Sequence, residues 1–102
     1  MQRAYTTLEI KETLFPIFSA NPIDKAILFG SYAKGSARPT SDIDILIDSG
    51  GKIRGIEFYG ILEDVSTAFD VPVDLIEVSD LVDGGKIQQE IAKTGVVIYE
   101  KA

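Results

Sequence analysis

Two aspartates one residue apart, Asp42 and Asp44, stand at the start of the isoleucine-rich segment 42–48. Alternate residues of a β-strand point to the same side, which would put the bases of these side chains roughly 7 Å apart. Two carboxylates so close repel each other and lose solvation when they are covered, and this segment contains no basic partner. Since Mg²⁺ prefers carboxylate and phosphate oxygens, the pair predicts a metal site of the two-metal phosphoryl-transfer kind.

The segment before these aspartates suits a phosphate group. Gly30 ends an apolar run, and Ser31 opens a short polar stretch. Glycine lets the backbone approach a ligand closely, the free N–H groups of a helix start favour an anion, and the serine hydroxyl adds a donor. Lys34 and Arg38 supply positive charge between Gly30 and the aspartates, although solvated loop charges explain these two residues equally well. The whole stretch predicts a cradle for a nucleoside triphosphate.

A third carboxylate, Asp74, lies in the apolar segment 71–78. If this segment forms a strand beside segment 42–48, Asp74 can face Asp42 and Asp44. Three carboxylates can hold two Mg²⁺ ions, and the third can also accept a proton from an attacking hydroxyl. Taken by itself, Asp74 is better explained as a charge at a sheet edge than as a metal ligand.

These residues must be positioned by alternating helices and strands. Apolar periodicity predicts helices over 6–20, 53–69 and 83–95, a helical turn or two over 31–37, and strands over 25–30, 42–48, 71–78 and 96–100. Thr6 and Glu9 have capping-box spacing, and Pro16 should kink or end the first helix. The fold class is therefore α/β (α+β), a small mixed β-sheet flanked by helices, in a single domain over 1–102.

Composition narrows the possible chemistry. The chain has 102 residues, no cysteine and no histidine, which excludes disulfides, thiolate or imidazole metal ligands and a histidine base. The net charge of −6 argues against a polymerase-like hold on long nucleic acid, since such proteins are normally basic over the binding face. We see no apolar run of membrane-spanning length and no signal peptide, so a cytoplasmic protein without membrane association is expected.

The composite motif resembles the nucleotidyltransferase superfamily that includes DNA polymerase beta, and more closely its smallest members, the minimal nucleotidyltransferases (MNT). In that pattern a Gly-Ser pair precedes D-x-D on a strand, and a lone Asp follows later. The matching residues here are Gly30-Ser31, ten intervening residues, Asp42-Ile43-Asp44 and Asp74, with flanking matches at Ala33, Gly35, segment 37–39 and Ser41. Lys34 departs from the arginine that these proteins often carry, and it lacks the bidentate fork of that side chain.

The resemblance implies a minimal polymerase beta-like nucleotidyltransferase fold and transfer of a nucleoside monophosphate, AMP from ATP being expected, to a hydroxyl. MNT proteins are commonly paired with a helical HEPN toxin, so it implies an antitoxin that modifies a toxin tyrosine. Asp42 and Asp44 would bind two Mg²⁺ ions, and Asp74 would complete one metal site and activate the acceptor. The residues implied for nucleotide and phosphate binding are Gly30, Ser31, Lys34, Arg38 and Ser41.

Two other functions are compatible with the same motif. The chain could be a binding module that neutralises its partner by occlusion without catalysis, although the retained carboxylates favour an enzyme. It could also be the catalytic subunit of a nucleotidyltransferase that modifies a small molecule such as an antibiotic, or tRNA, with the acceptor held by a separate chain. The sequence does not specify the preferred base, the acceptor hydroxyl or the stoichiometry.

Overall fold

The computed structural model describes residues 3–101 and contains alternating helices and strands. The helices are α1 (Thr7–Ser19), α2 (Gly30–Lys34), α3 (Ile56–Thr67) and α4 (Lys86–Thr94), and the strands are β1 (Lys25–Phe29), β2 (Ile43–Asp48), β3 (Val73–Glu77) and β4 (Val96–Glu100). A 3₁₀ turn at Val78–Asp80 follows β3. Within the described range, every helix is too short or too polar to cross a bilayer. The observed order agrees with the predicted alternation of helices and strands.

The four strands form one mixed sheet in the order β3-β2-β1-β4. β1 runs antiparallel to both β2 and β4, whereas β2 and β3 run parallel. The parallel pair requires a crossover connection, which α3 supplies between β2 and β3. The prediction of a small mixed sheet flanked by helices is therefore confirmed, with β2 in the interior of the sheet and β3 at one edge.

One face of the sheet carries the main hydrophobic core. Ile43, Ile45 and Ile47 of β2 are fully buried there, as the alternation of the strand predicts. The side chains of α1 and α3 that contribute to this core are Ile10, Leu14, Phe18, Ile61 and Val65. The capping box that starts α1 is present as predicted, since Thr6 Oγ1 accepts from the N–H of Glu9 and Glu9 Oε1 accepts from the N–H of Thr6.

The opposite face of the sheet is also partly covered. Leu46, which shares this face with Asp44, is only 5% exposed. Its register partner in β1 is Ile27, and a Cβ placed on Gly95, the residue that follows α4, would lie 3.0 Å from Ile27 Cγ2. The end of α4 therefore packs on this face, and the aspartates extend from a sheet that has helices on both sides.

Some predicted boundaries were wrong, whereas the range of the first helix was close to the predicted 6–20. α1 continues past Pro16 to Ser19, so the proline does not end it, and Leu14 and Phe18 on either side of it are both buried in the core. α3 begins at Ile56 and not at 53, because Gly55 has a φ of 59°, which a helix does not allow. β2 begins at Ile43, which leaves Asp42 just outside the strand.

Replacing Ile45 with alanine should lower the free energy of unfolding by about 2–5 kcal/mol, because the lost side chain leaves a cavity in the core. Val97 of β4 is 44% exposed, so Val97→Ala is the matched control and should cost less than about 1 kcal/mol. Urea denaturation of both variants measures the difference. Equal losses would contradict the assignment of the β2 faces.

Candidate active site

Asp44 and Asp74 lie side by side on neighbouring strands. They are direct register partners in the parallel pair β2–β3, where adjacent strands are about 4.8 Å apart. Register partners share a face of the sheet, so both carboxylates extend from the face opposite the main core. The expectation that the strand of Asp74 lies beside that of Asp44 is confirmed.

Asp42 lies immediately before β2 and is exposed. The strand is anchored at this point by Ile43, whose N–H donates to the carbonyl of Pro72 at 2.9 Å. Asp42 is close enough to Asp44 to act on it electrostatically. Within residues 3–101, however, no three acidic, histidine or cysteine side chains converge into a ready-made metal cage. The three aspartates share one end of the sheet without forming a closed cluster.

Gly30 lies directly against the side chain of Asp44. Its φ of 74° lies in the left-handed region, and a Cβ at this position would be 2.1 Å from Asp44 Oδ2. Such a distance is far inside van der Waals contact, so the Asp44 carboxylate occupies the space that a side chain at residue 30 would need. Gly30 therefore both turns the chain from β1 into α2 and brings the backbone against a carboxylate oxygen.

The other residues predicted to bind phosphate lie on α2 and the loop after it. Ser31 is half-buried in α2, and its carbonyl accepts from the N–H of Ser36 at 3.0 Å. Lys34 ends α2, and its Nζ lies 3.4 Å from Glu90 Oε1. Arg38 and Ser41 close a turn, in which the N–H of Arg38 donates to Ser41 Oγ at 2.8 Å. Ser41 thus shapes the loop that leads into Asp42.

The electrostatics of the site centre on Asp44. Burial raises the pKa of Asp44 to about 6, with further increases from the charges of Asp74, Asp42 and Glu90. Part of the Asp44 population is therefore protonated at weakly acidic pH. A divalent cation would favour the ionised form by offsetting the neighbouring negative charges.

The donor set fits Mg²⁺. The three aspartates offer carboxylate oxygens, which are the ligands that Mg²⁺ prefers, and the raised pKa of Asp44 reflects burial and uncompensated negative charge. Asp42, Asp44 and Asp74 are the residues that would hold the metal, while Gly30 leaves room for a close approach.

Glu90 is a component of this site that sequence reasoning missed. It lies on α4, pairs with Lys34 and contributes to the raised pKa of Asp44. The available signal was its place beside Ile87 and Ile91, at the border of the apolar side of α4, where a carboxylate becomes partly buried. Its distance of 46 residues from Asp44 in sequence gave no hint that the two approach each other.

Comparison with known proteins identifies the family of the chain. Residues 12–102 match the family profile described as "Polymerase beta, Nucleotidyltransferase". The chain belongs to the polymerase beta nucleotidyltransferase family. The match includes β1, the Gly30-Ser31 pair, both strands that carry the aspartates, and α4.

One curated relative and two solved structures extend the comparison of this nucleotidyltransferase. MJ0435 of Methanocaldococcus jannaschii, named as a candidate protein adenylyltransferase, is 45% identical over 42 residues, which span 41% of this chain and 45% of that protein. The aligned part thus covers less than half of that relative's length.

The two solved structures share the fold at low sequence identity. A chain from a toxin–antitoxin crystal structure with AMP-PNP superposes with a TM-score of 0.75 at 20% identity, covering 89% of this chain and 73% of that one. A chain from the complex of tri-AMPylated HEPN toxin with MNT antitoxin of Shewanella oneidensis gives 0.71 at 17% identity, covering 94% and 74%. At such identities the superpositions establish the fold alone.

Gly30→Ala should destabilise the nucleotidyltransferase more than Gly35→Ala. Both glycines have a left-handed φ, of 74° and 76°, so both substitutions carry a similar backbone strain of about 1–2 kcal/mol. A Cβ at Gly35 meets nothing within 4 Å, whereas at Gly30 it meets Asp44 Oδ2. Chemical denaturation should show an extra loss of about 1–3 kcal/mol for Gly30→Ala. Equal losses would mean that Asp44 yields freely and does not constrain residue 30.

Asp44→Asn should stabilise the metal-free protein at neutral pH and lose this advantage in acid. The pKa of Asp44 is raised from 3.8 to about 6 in the folded protein. The wild type therefore loses stability as the pH rises between these two values, and regains it on acidification. We expect a gain of about 1 kcal/mol near pH 7.5, since solvent screens this partly exposed group. Urea denaturation in EDTA near pH 7.5 and pH 4 tests the trend, with Asp48→Asn at the far end of β2 as control.

Proposed function

We propose that this chain, acting as a single nucleotidyltransferase domain in the cytoplasm, transfers AMP from ATP to a tyrosine hydroxyl of a helical HEPN-type toxin and thereby acts as its antitoxin. The observation that carries the proposal is the pairing of Asp44 with Asp74 above Gly30. This arrangement brings acidic metal ligands and a close backbone approach to one place. The family match adds the reaction class.

The similar proteins support the acceptor and the partner. The curated relative is named for protein adenylylation, and one of the similar structures holds an AMPylated HEPN toxin with its MNT antitoxin. The AMP-PNP complex supports an adenine nucleotide as the donor. Tyrosine as the acceptor follows from the MNT resemblance, and this acceptor would be brought to the site on another chain.

In the proposed reaction the acceptor oxygen attacks the α-phosphorus of ATP and forms the new P–O bond. The bond from the α-phosphorus to the bridging oxygen of the β-phosphate breaks, and pyrophosphate leaves with that electron pair. Asp74 is exposed beside Asp44 and accepts the proton of the acceptor hydroxyl. Gly30 and Ser31 hold the β- and γ-phosphates, with Lys34 and Arg38 as the nearby positive charges and Ser41 shaping the loop.

Two Mg²⁺ ions, when bound, would neutralise the charge that builds up on the phosphates during transfer. Asp42 and Asp44 would hold both ions, and Asp74 would complete one of the sites. The raised pKa of Asp44 makes metal binding compete with protonation, so binding should strengthen as the pH rises from about 5 to 7.

Intact-protein mass spectrometry of a HEPN-type toxin tests the proposal. After incubation with the wild-type chain, ATP and Mg²⁺, the toxin should gain the mass of one or more AMP groups. Asp44→Asn and EDTA should each abolish the gain, because the metal site loses a ligand or its ion. Asp48→Asn makes the same chemical change at the other end of β2 and should leave transfer intact.

The same experiment separates catalysis from occlusion. An occluding antitoxin would neutralise the toxin without changing its mass, and Asp44→Asn would protect as well as the wild type. A toxin that stays unmodified yet is silenced by both proteins would overturn the catalytic proposal. Modification of a small-molecule hydroxyl in place of the toxin would retain the chemistry and change the acceptor.

A further inference from the structure

Glu90 links α4 to the phosphate side of the site. Its Oε1 atom lies 3.4 Å from Nζ of Lys34, and the exposed fraction of its side chain is 27%, compared with 48% for Lys34. The carboxylate is therefore the more buried partner and belongs to the surface between α2 and α4.

The pair holds the ammonium of Lys34 at α4, at the end of the helix that begins at Gly30. Lys34 is the last residue of α2, and Gly30, the first, lies against Asp44. The four-residue separation corresponds to about 6 Å along a helix, so a lysine side chain can turn back over the Gly30 end or extend into solvent. Lysine has a flexible stem with large rotamer entropy, and a fixed carboxylate on α4 limits this freedom.

The charge of Glu90 acts on Asp44, as one of the causes that raise the pKa of that carboxyl. The end of α4 packs on Ile27, the register partner of Leu46, which shares its face of the sheet with Asp44. Lys86 and Lys93 of α4 line the same shallow groove of about 250 Å³. Of the three lysines at this groove, Lys34 belongs to the helix that starts at Gly30.

We propose that Glu90 is a positioning residue that holds the Lys34 ammonium beside the Gly30 end of α2, where it contacts the terminal phosphates of the nucleotide. The inference rests on the proposed function and adds to it a residue on α4. A partly exposed ion pair contributes little to stability, so its effect should appear in nucleotide binding and not in folding. It also gives the lysine at position 34 a fixed direction without the bidentate fork of arginine.

Glu90→Gln should weaken binding of Mg²⁺–AMP-PNP by about three- to tenfold, measured by isothermal titration calorimetry on the full chain. This direction is diagnostic. Removing a negative charge close to the aspartates would by itself tighten the binding of an anionic nucleotide, so a loss of affinity requires an effect through Lys34. In the transfer assay the KM for ATP should rise while kcat stays close to that of the wild type.

Lys34→Gln should weaken binding by a similar factor, and the double variant should bind no more weakly than Lys34→Gln. This non-additivity is expected when one residue acts only through the other. The control is Asp24→Asn. Asp24 directly precedes β1, at the end of the strand opposite Gly30, and it forms an exposed ion pair with Lys52 at 2.9 Å. That variant should bind the nucleotide like the wild type, and all variants should melt at similar temperatures.

Two results would overturn the inference. In the first, Glu90→Gln binds Mg²⁺–AMP-PNP at least as tightly as the wild type. In the second, Glu90→Gln weakens binding by the same factor in the Lys34→Gln background as in the wild type. In both cases the wild type still binds the nucleotide, so the proposed function survives. A wild-type chain that does not bind Mg²⁺–AMP-PNP would overturn the proposed function itself, and this inference with it.

Discussion

The close approach of the Asp44 carboxylate to the backbone of Gly30 is the constraint on which the site depends. Antiparallel pairing of β1 and β2 puts Phe29 opposite Asp44, so the next residue along the chain meets that carboxylate. Glycine is favoured at this position, because its φ is left-handed and a Cβ would have to displace Asp44 Oδ2. The same turn starts α2, which then carries Ser31 and Lys34 along the side of the site.

The hydrophobic core supplies the free energy that holds like charges together. Ile43, Ile45 and Ile47 are fully buried, so a slip of β2 by one residue against its neighbouring strands would expose them and turn Asp44 into the core. The register that buries the isoleucines is the one that aligns Asp44 with Asp74. Packing on one face of the sheet therefore holds mutually repelling carboxylates together on the other face. A divalent cation bound there would relieve this repulsion.

Charge is distributed unevenly around this arrangement. The chain has a net charge of −6, and Asp44 is acted on by three other carboxylates, while Lys34 of α2 is paired with one of them. Such a site favours a substrate that brings its own cations, as a nucleotide with Mg²⁺ does. It disfavours a bare polyanion, which is consistent with the argument from composition against a hold on long nucleic acid.

The sequence by itself determined the alternation of helices and strands, the mixed character of the sheet and the motif residues, because apolar periodicity and the Gly-Ser and D-x-D spacing are local properties. It did not determine whether Pro16 would end α1 or that α3 would begin only at Ile56; the proline lies between two buried residues of α1, and Gly55 has a positive φ. Tertiary structure alone decided that Gly30 supports Asp44 and that Glu90 of α4 reaches Lys34. Those contacts join residues 14 and 56 positions apart, and no local pattern encodes which side chains a folded sheet and its helices bring together.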